Sequence, residues 1–254
     1  MITSRPRRRP AERDQMNETT HRPGALPFTN ETVRTSHVPA SARVYEEIRR
    51  RIVAIELPPD TTLSRGDLAD AFGVSQSPVR EAILRLEQDG LVVSFPQSRT
   101  VVTRIGIARI REEHFLRTAV ERDVARRLAE IGDPATILKV KGLVKMQEAL
   151  ADDVEQVALF KQLDEAFHEA LFEGVGQSNL HRHITARCGN LARLRSLDLP
   201  RREKLASVLA GHRAVVAAIE AGDPDAAASA MRHHLSGSIE RLPQIVEANP
   251  DLFA

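Results

Sequence analysis

The chain has 254 residues, a length that suits one large domain or two of ordinary size. Its 36 lysine and arginine residues against 35 acidic residues give a formal net charge of +1, so a surface for a polyanion must be local. Hydrophobic residues make up 42% of the chain and aromatic residues only 4%, which favours packed helices over a β-sandwich or barrel. One cysteine, no secretory signal and no apolar stretch of about 18 residues predict a cytoplasmic protein with no membrane partner.

The first 36 residues differ in composition from the rest of the chain. They contain four prolines and the run Arg7-Arg8-Arg9, and they show neither helical nor strand periodicity. Such a segment cannot bury enough apolar surface to fold, so residues 1–36 are predicted to be a disordered leader.

From Ser41 the apolar residues recur at helical spacing, and the arginines of Arg49–Arg51 are expected to face outward. Leu57-Pro58 ends this helix, because proline disfavours helical geometry at the residue before it. A second short helix is predicted between Ser64, whose hydroxyl would cap it, and Gly73, which suits a left-handed turn.

A third helix is predicted to begin at Ser75 as its N-cap and to end at Gly90. Two short apolar runs follow, Leu91–Val93 and Thr100–Thr103, and they indicate a β-hairpin. Three short helices and then a hairpin predict a winged helix-turn-helix over residues 37–105.

The chain after about Gly106 is predicted to be entirely helical, with short loops marked by glycine and proline. Short loops join antiparallel neighbours, so residues 106–250 are predicted to form an all-α antiparallel bundle, and the whole protein is mainly α. The six predicted helices are Ile110–Ile131, Pro134–Leu150, Asp153–Phe172, Asn179–Leu197, Arg201–Ala221 and Pro224–Glu247.

The start of the third helix carries side chains suited to reading DNA. In a helix-turn-helix, the N-terminal residues of the second, recognition helix contact base edges and phosphates. Ser75 and Ser77 offer short hydroxyls for phosphate, Gln76 an amide for adenine, and Arg80 a guanidinium for guanine.

This half of the chain carries a set of specific stretches: Val44-Tyr45-Glu46-Glu47-Ile48-Arg49, Leu57-Pro58-Pro59, Phe72-Gly73-Val74-Ser75, Ser77-Pro78-Val79-Arg80-Glu81-Ala82 and Asp89-Gly90-Leu91. With these stretches the sequence resembles the GntR family of bacterial transcription regulators, in the FadR-like branch with an FCD-type helical effector domain. Gln76 replaces the arginine usual in that family, and Arg99 replaces the glycine usual at the wing tip. The candidate DNA-binding residues are Arg49, Ser64, Arg65, Ser75, Gln76, Ser77, Arg80 and Arg99.

A metal site is predicted in the helical half. Asp164 and His168 are four residues apart, so both project from one helix face. Histidines further along the chain would complete a set suited to a borderline divalent ion, but the residues alone do not choose among them. The resemblance does choose: it implies a histidine 44 residues after His168 and another 22 residues later, which are His212 and His234. Zinc is the expected metal, with nickel or manganese as alternatives.

Three further residues are candidates for binding a small-molecule effector. Arg117 and Glu121 lie one helical turn apart, and this spacing alone predicts an exposed ion pair. The resemblance implies that Arg117 faces a cavity and meets a ligand carboxylate, for which the planar guanidinium is well suited. Asn179 matches a further position of the family, and a helix-capping role is its alternative.

Together these features predict a metabolite-responsive, homodimeric DNA-binding regulator that represses from a palindromic operator. Its helical domain would hold a divalent metal and a small carboxylate metabolite. The residues alone also allow two other classes of protein. One is a metal-dependent enzyme fused to a DNA-binding head, and the other is a constitutive DNA-binding protein whose bundle only dimerises.

Overall fold

The computed structural model describes residues 38–95, 99–151 and 153–254, so the leader predicted for residues 1–36 lies outside it. The amino-terminal part, called the head below, consists of three helices and a small sheet. Its elements are α1 (Ala40–Val53), β1 (Thr62–Leu63), α2 (Arg65–Phe72), α3 (Gln76–Gln88), β2 (Val92–Ser94) and β3 (Thr100–Val102).

The remaining described residues form a helical domain, called the bundle below. Its helices are α4 (Ile107–Ile131), α5 (Pro134–Glu148), α6 (Val157–Gly174), α7 (Ser178–Arg187), α8 (Gly189–Asp198), α9 (Arg202–Glu220), α10 (Pro224–Glu240) and α11 (Leu242–Ala248). Short 3₁₀ turns at Val154–Gln156 and Pro250–Leu252 complete it. The predicted fold class, a winged head followed by an all-helical domain, is confirmed. No helix in the described part of the chain is long and apolar enough to cross a bilayer.

The head is built around its own apolar core, and its helix ends follow the local sequence. The Ser64 hydroxyl accepts a hydrogen bond from the Asp67 amide and so caps α2, as predicted. Gly73 ends that helix in a left-handed conformation with φ 61°. Ser75 occupies the N-cap position of α3, but its side chain makes no capping hydrogen bond and stays available for another partner.

The sheet of the head has three strands rather than the two predicted. The hairpin is present, with β2 antiparallel to β3 and Val93 opposite Val101. β1 pairs with the other edge of β3, with Leu63 opposite Thr100, which gives the order β1-β3-β2. A two-residue strand has no periodicity of its own, so its sequence gave no signal.

The three arginines of α1 do not share one environment, which corrects the expectation that all face outward. Arg50 is exposed, but Arg51 is only 8% exposed and pairs with Glu47 at 2.5 Å. Arg49 is half-buried, and its guanidinium donates a hydrogen bond to the carbonyl of Thr185 in the bundle.

Two of the predicted bundle helices are broken. The segment predicted from Asn179 to Leu197 divides into α7 and α8 at Cys188, where the backbone leaves helical geometry with ψ 42°. The last segment divides at Arg241 into α10 and α11, since Pro243 has no amide hydrogen to continue the helical ladder.

Head and bundle meet through the linker that follows β3. The buried Arg193 of α8 donates to the carbonyl of Thr103 at 2.6 Å, and the side-chain oxygen of Asn190 accepts from the Gly106 amide at 3.0 Å. Glu113 of α4 accepts in turn from Asn190 and from the Leu191 amide. Buried polar groups that satisfy one another in this way fix the linker against α4 and α8.

Candidate metal centre and nucleic-acid interface

Four predicted ligands meet in the interior of the bundle. Asp164 and His168 come from α6, His212 from α9 and His234 from α10. One ligand atom from each lies within 4.8 Å of every other, and the Nε2 atoms of His168 and His234 are 3.3 Å apart. Three helices therefore supply one constellation of an aspartate and three imidazoles, the donor set that zinc and similar divalent ions take.

Neighbouring side chains orient two of the imidazoles. Glu121 Oε2 lies 2.6 Å from Nδ1 of His168, and Gln147 Oε1 lies 2.7 Å from Nδ1 of His212. A carboxylate or amide oxygen at Nδ1 holds the proton there and leaves Nε2 free as a ligand atom. Glu121, predicted to bind effector, contacts the predicted ligand His168 and also lines a cavity beside the cluster. Gln147 contacts the cluster as well, and the sequence did not indicate it.

Unpaired polar atoms at the centre of the cluster fit a cation. Among the described residues, Asp164 Oδ1 and His212 Nε2 are buried without a hydrogen-bond partner, and they are 3.5 Å apart. Leaving two such buried atoms unsatisfied is costly, whereas a divalent ion between them would satisfy both.

The protonation states suit a metal as well. Burial lowers the pKa of His212 to about 3 although the charge of Asp164 opposes it, and burial holds the pKa of His234 well below its ordinary value. Burial opposes ionisation of Asp164, but the charge of Arg195 holds the pKa of this carboxyl well below its usual range. His212 and His234 are therefore neutral and Asp164 is a carboxylate, the forms that bind metals.

The helices that carry the ligands approach closely at Gly211. A Cβ atom on this residue would lie 2.6 Å from Nδ1 of His234. Only glycine therefore lets the His234 ring reach the cluster across α9.

Two cavities flank the cluster, and Arg117 and Arg195 line both of them. Arg117 is buried and forms an ion pair with Glu121, so it is neither exposed nor a surface pair. Arg195 of α8 forms ion pairs with Asp164 and, at 3.5 Å, with Glu165. Lys204 lines the second cavity from α9. Arg195 and Lys204 carried no distinguishing sequence signal, because their place beside the cluster depends on how the helices pack.

Asn179 lies apart from both cavities. It is exposed in the first turn of α7, where its side chain accepts from Arg182 and its carbonyl lies 2.7 Å from Nδ1 of His183. The N-cap of α7 is Gln177, so Asn179 is not the cap either.

The head has a groove that lies between the start of α2, α3 and the wing, which is the β2–β3 hairpin. Residues of the head alone form this groove. Four of the predicted DNA-binding residues line it, namely Ser64, Arg65, Arg80 and Arg99. Ser75, Gln76 and Ser77 are exposed at the start of α3. Seven of the eight predicted residues thus face solvent or the groove, and Arg49 instead contacts the bundle.

Comparison with known proteins identifies the family of both the head and the bundle. The bacterial regulatory protein gntR family matches residues 40–102, and the FCD domain matches residues 114–237. A Streptomyces ambofaciens protein described as an HTH-type transcriptional regulator in an unstable DNA locus is 36% identical over 211 residues, which cover 83% of this chain and 88% of the relative. The chain belongs to the GntR family.

Other GntR-family proteins extend this similarity along the chain. The HTH-type transcriptional repressor RspR of Escherichia coli K12 is 30% identical over 227 residues, which cover 89% of this chain and 99% of RspR. The solved structure of E. coli McbR/YncC shares the fold, with a TM-score of 0.66 and 21% identity over 82% of this chain and 98% of McbR. The chain is therefore a DNA-binding transcriptional regulator, and the expectation that it is not an enzyme is confirmed.

Proposed function

We propose that this GntR-family regulator is a cytoplasmic, homodimeric repressor whose bundle holds a divalent metal and a small carboxylate effector. The observation that carries the proposal is the cluster of Asp164, His168, His212 and His234, of which the first three are buried and His234 is half-buried, with its ligand atoms within 4.8 Å of one another. Zinc suits this donor set best, and nickel or manganese are the alternatives. When bound, the metal would join α6, α9 and α10 and offer a positive charge to an anionic ligand.

The effector class follows from the cations around the cluster. Arg117 and Arg195 line both flanking cavities, and their guanidinium groups can bind a carboxylate through two parallel hydrogen bonds. Each of them is paired with a carboxylate of the protein, Glu121 or Asp164, so an effector carboxylate would compete for the same donors.

A route from the effector site to the head runs along α8. Arg195 reaches the metal cluster from this helix, while Arg193, two residues earlier, holds the linker at Thr103. A ligand that draws Arg195 away from Asp164 would shift α8 and with it the linker. In a homodimer this changes the spacing of the two heads and so their affinity for a palindromic operator.

In the head, Arg80 is proposed to read a base edge, while Ser75, Ser77, Ser64, Arg65 and Arg99 contact phosphates and Gln76 contacts a base. Arg80→Ala should reduce affinity for a duplex selected by the wild-type protein from a random library by about 10- to 100-fold, because one bidentate base contact is lost. Binding to unselected duplex should change far less. Salt-matched gel shifts with both duplexes measure the two affinities.

Arg85→Ala is the matched control, since Arg85 lies on the same helix but stacks over the Tyr45 ring at 3.8 Å and does not line the groove. It should leave the preference for the selected duplex unchanged. If Arg80→Ala and the wild type bind the selected duplex with equal affinity, α3 is not the recognition helix.

A further inference from the structure

The two cavities beside the candidate metal centre differ in charge. Glu121 and Glu165 contribute to the wall of the first cavity, together with Arg117 and Arg195. The wall of the second cavity contains both arginines and Lys204, but no aspartate or glutamate among the described residues. A cavity lined by charges of one sign attracts the opposite charge, so the second cavity is the better place for an anionic ligand.

Lys204 is the cation of this wall that lacks a hydrogen-bond partner. Its side chain is only 6% exposed, and its nearest carboxylate oxygen within the described part of the chain belongs to Asp198, 3.6 Å from Nζ. That separation is too long for a hydrogen bond, and a buried ammonium whose donors are unsatisfied is costly. Burial accordingly lowers the pKa of Lys204, although the charge of Asp198 opposes this shift.

Asp198 is already engaged by other donors. Arg241 donates two hydrogen bonds to its carboxylate, at 3.0 and 2.6 Å, and the Ser238 hydroxyl donates a third at 3.0 Å. One carboxylate thus faces two cations, Arg241 and Lys204, and the three groups together carry one uncompensated positive charge. Water can solvate Arg241, whose side chain is 33% exposed, so the charge that needs a counter-ion is that of Lys204.

The ammonium of Lys204 lies close to the predicted ligand His234 along α10. His234 and Ser238 are four residues apart on this helix, and both line the second cavity. Nζ of Lys204 packs against the same helix, where a Cβ atom on Gly237 would lie 3.1 Å from it. One helical turn rises about 5.4 Å, a separation similar to that between the two carboxylates of a short dicarboxylic acid.

We propose that the effector is a short dicarboxylate and that its second carboxylate binds the ammonium of Lys204. The first carboxylate binds Arg117 and Arg195 as in the proposed function, on which this inference rests. A single carboxylate charge matches the one uncompensated cation, whereas a phosphate group carries nearly twice that charge. Lys204 is then a specificity-determining residue, because a monocarboxylate leaves its buried ammonium unpaired.

Calorimetric titration of the zinc-loaded protein with pairs of acids tests this specificity. Malonate, succinate, glutarate and adipate are each compared with the monocarboxylate of the same chain length, as succinate is with butyrate. The dicarboxylate that binds most tightly should have at least about 10-fold higher affinity than its partner, because it pairs a buried charge. This preference should disappear in Lys204→Met, which keeps the length of the side chain, and in Lys204→Gln.

Lys145→Met is the control, since it removes an exposed lysine of α5 that lines neither cavity. It should keep the wild-type preference, and circular dichroism checks that each variant folds. A wild type that binds none of these acids would contradict the carboxylate effector and this inference with it. A wild type that binds each monocarboxylate as tightly as its dicarboxylate partner, or a folded Lys204 variant that still prefers the dicarboxylate, would overturn the role of Lys204 alone.

Discussion

Gln147 and Glu121 contact the candidate metal centre without belonging to its predicted ligands. Each places an oxygen against Nδ1 of one imidazole, so the ring is held in one orientation and its Nε2 faces the cluster. Arg117 neutralises Glu121 from the other side. The ligands are thus positioned before any ion arrives, which lowers the entropic cost of binding one.

Removal of these contacts should weaken metal binding in graded steps. His212→Ala should abolish stoichiometric zinc, because it removes a ligand, and Gln147→Leu should weaken zinc affinity about 10- to 100-fold, because it frees the His212 ring. Metal analysis and competition with a chromophoric chelator measure both effects. Gln156→Leu, a change of the same type away from the cluster, is the control.

Wild-type protein that holds no metal after purification with added zinc, nickel and manganese would contradict the metal centre. The alternative hypothesis, a constitutive DNA-binding protein whose bundle only dimerises, would then replace the metal-binding one. A zinc affinity unchanged in Gln147→Leu would remove only the orienting role of that side chain.

At the scale of a single helix, α8 carries one arginine to the linker and another to the cluster of predicted ligands. Arg193 is fully buried at the linker, where burial lowers its pKa to about 10, and Arg195 reaches the metal cluster. The helix begins at Gly189, where a Cβ would lie 2.7 Å from Cδ2 of Leu91 in the head. One short helix therefore contacts the head, the linker and the candidate metal centre.

Arg193→Met should destabilise the junction of head and bundle. The change keeps most of the side-chain volume but leaves the Thr103 carbonyl and the Asn190 oxygen without this donor. We expect the free energy of unfolding to fall by about 2–3 kcal/mol, measured by urea denaturation. Arg187→Met, an exposed change on α7, should stay within about 0.5 kcal/mol of the wild type. Equal losses in both variants would contradict the role of Arg193.

The sequence predicted helix boundaries best where a residue at the boundary ends or caps the helix. Gly73 and Gly132 end their helices in left-handed conformations, and Asp133 and Asp223 cap the helices that follow. The break at Cys188 was not predicted, and the helix that follows it begins at Gly189, which packs closely against Leu91 of the head. Local periodicity contains no information about such a contact.

The candidate site divides in the same way. Asp164 and His168 share a helix face, so their spacing is visible in the sequence, and the resemblance to a family supplied His212 and His234. Gln147, Arg195 and Lys204 lie on other helices, and only the packing brings them to the cluster. Arg49 shows the converse, since a basic residue on the first helix of the head contacts the bundle rather than solvent.

The molecule as a whole has separate apolar cores in the head and in the bundle, and the linker residue Ile105 belongs to the core of the bundle. Ile105 also pairs with the carboxy-terminal residues: its amide donates to Leu252, and its carbonyl accepts from Ala254 at 3.0 Å. The bundle core therefore reaches into the linker, and the stability of the bundle determines how firmly the head is held.

That stability should depend on pH in the metal-free protein. His212 and His234 stay neutral in the folded bundle because their pKa values are lowered, whereas in the unfolded chain they take up protons near pH 6.5. The unfolded state therefore binds more protons below this pH, and stability is lost as the pH falls from 6.5 towards 5. The slope should not exceed about 1.4 kcal/mol per pH unit for each imidazole.

Urea denaturation with chelator at pH 7.5, 6.5, 5.8 and 5.0 measures this dependence. His233→Gln, an exposed neighbour of His234, should leave the slope unchanged. The carboxylates of the cluster titrate below this range in the unfolded chain, so they do not contribute. A free energy of unfolding that stays constant from pH 6.5 to 5.0 would contradict the neutral buried imidazoles.

Cys188 is the chain's single cysteine, and it lies at the bend between α7 and α8, in the wall of the cavity that Arg117 and Arg195 also line. Its thiol is buried beside the Glu113 carbonyl, and burial raises its pKa to about 12. The thiolate is the reactive form, so this sulfur is inert while the wall is closed. Thiol reactivity therefore reports whether this part of the cavity wall is exposed to solvent, at one defined position of the chain.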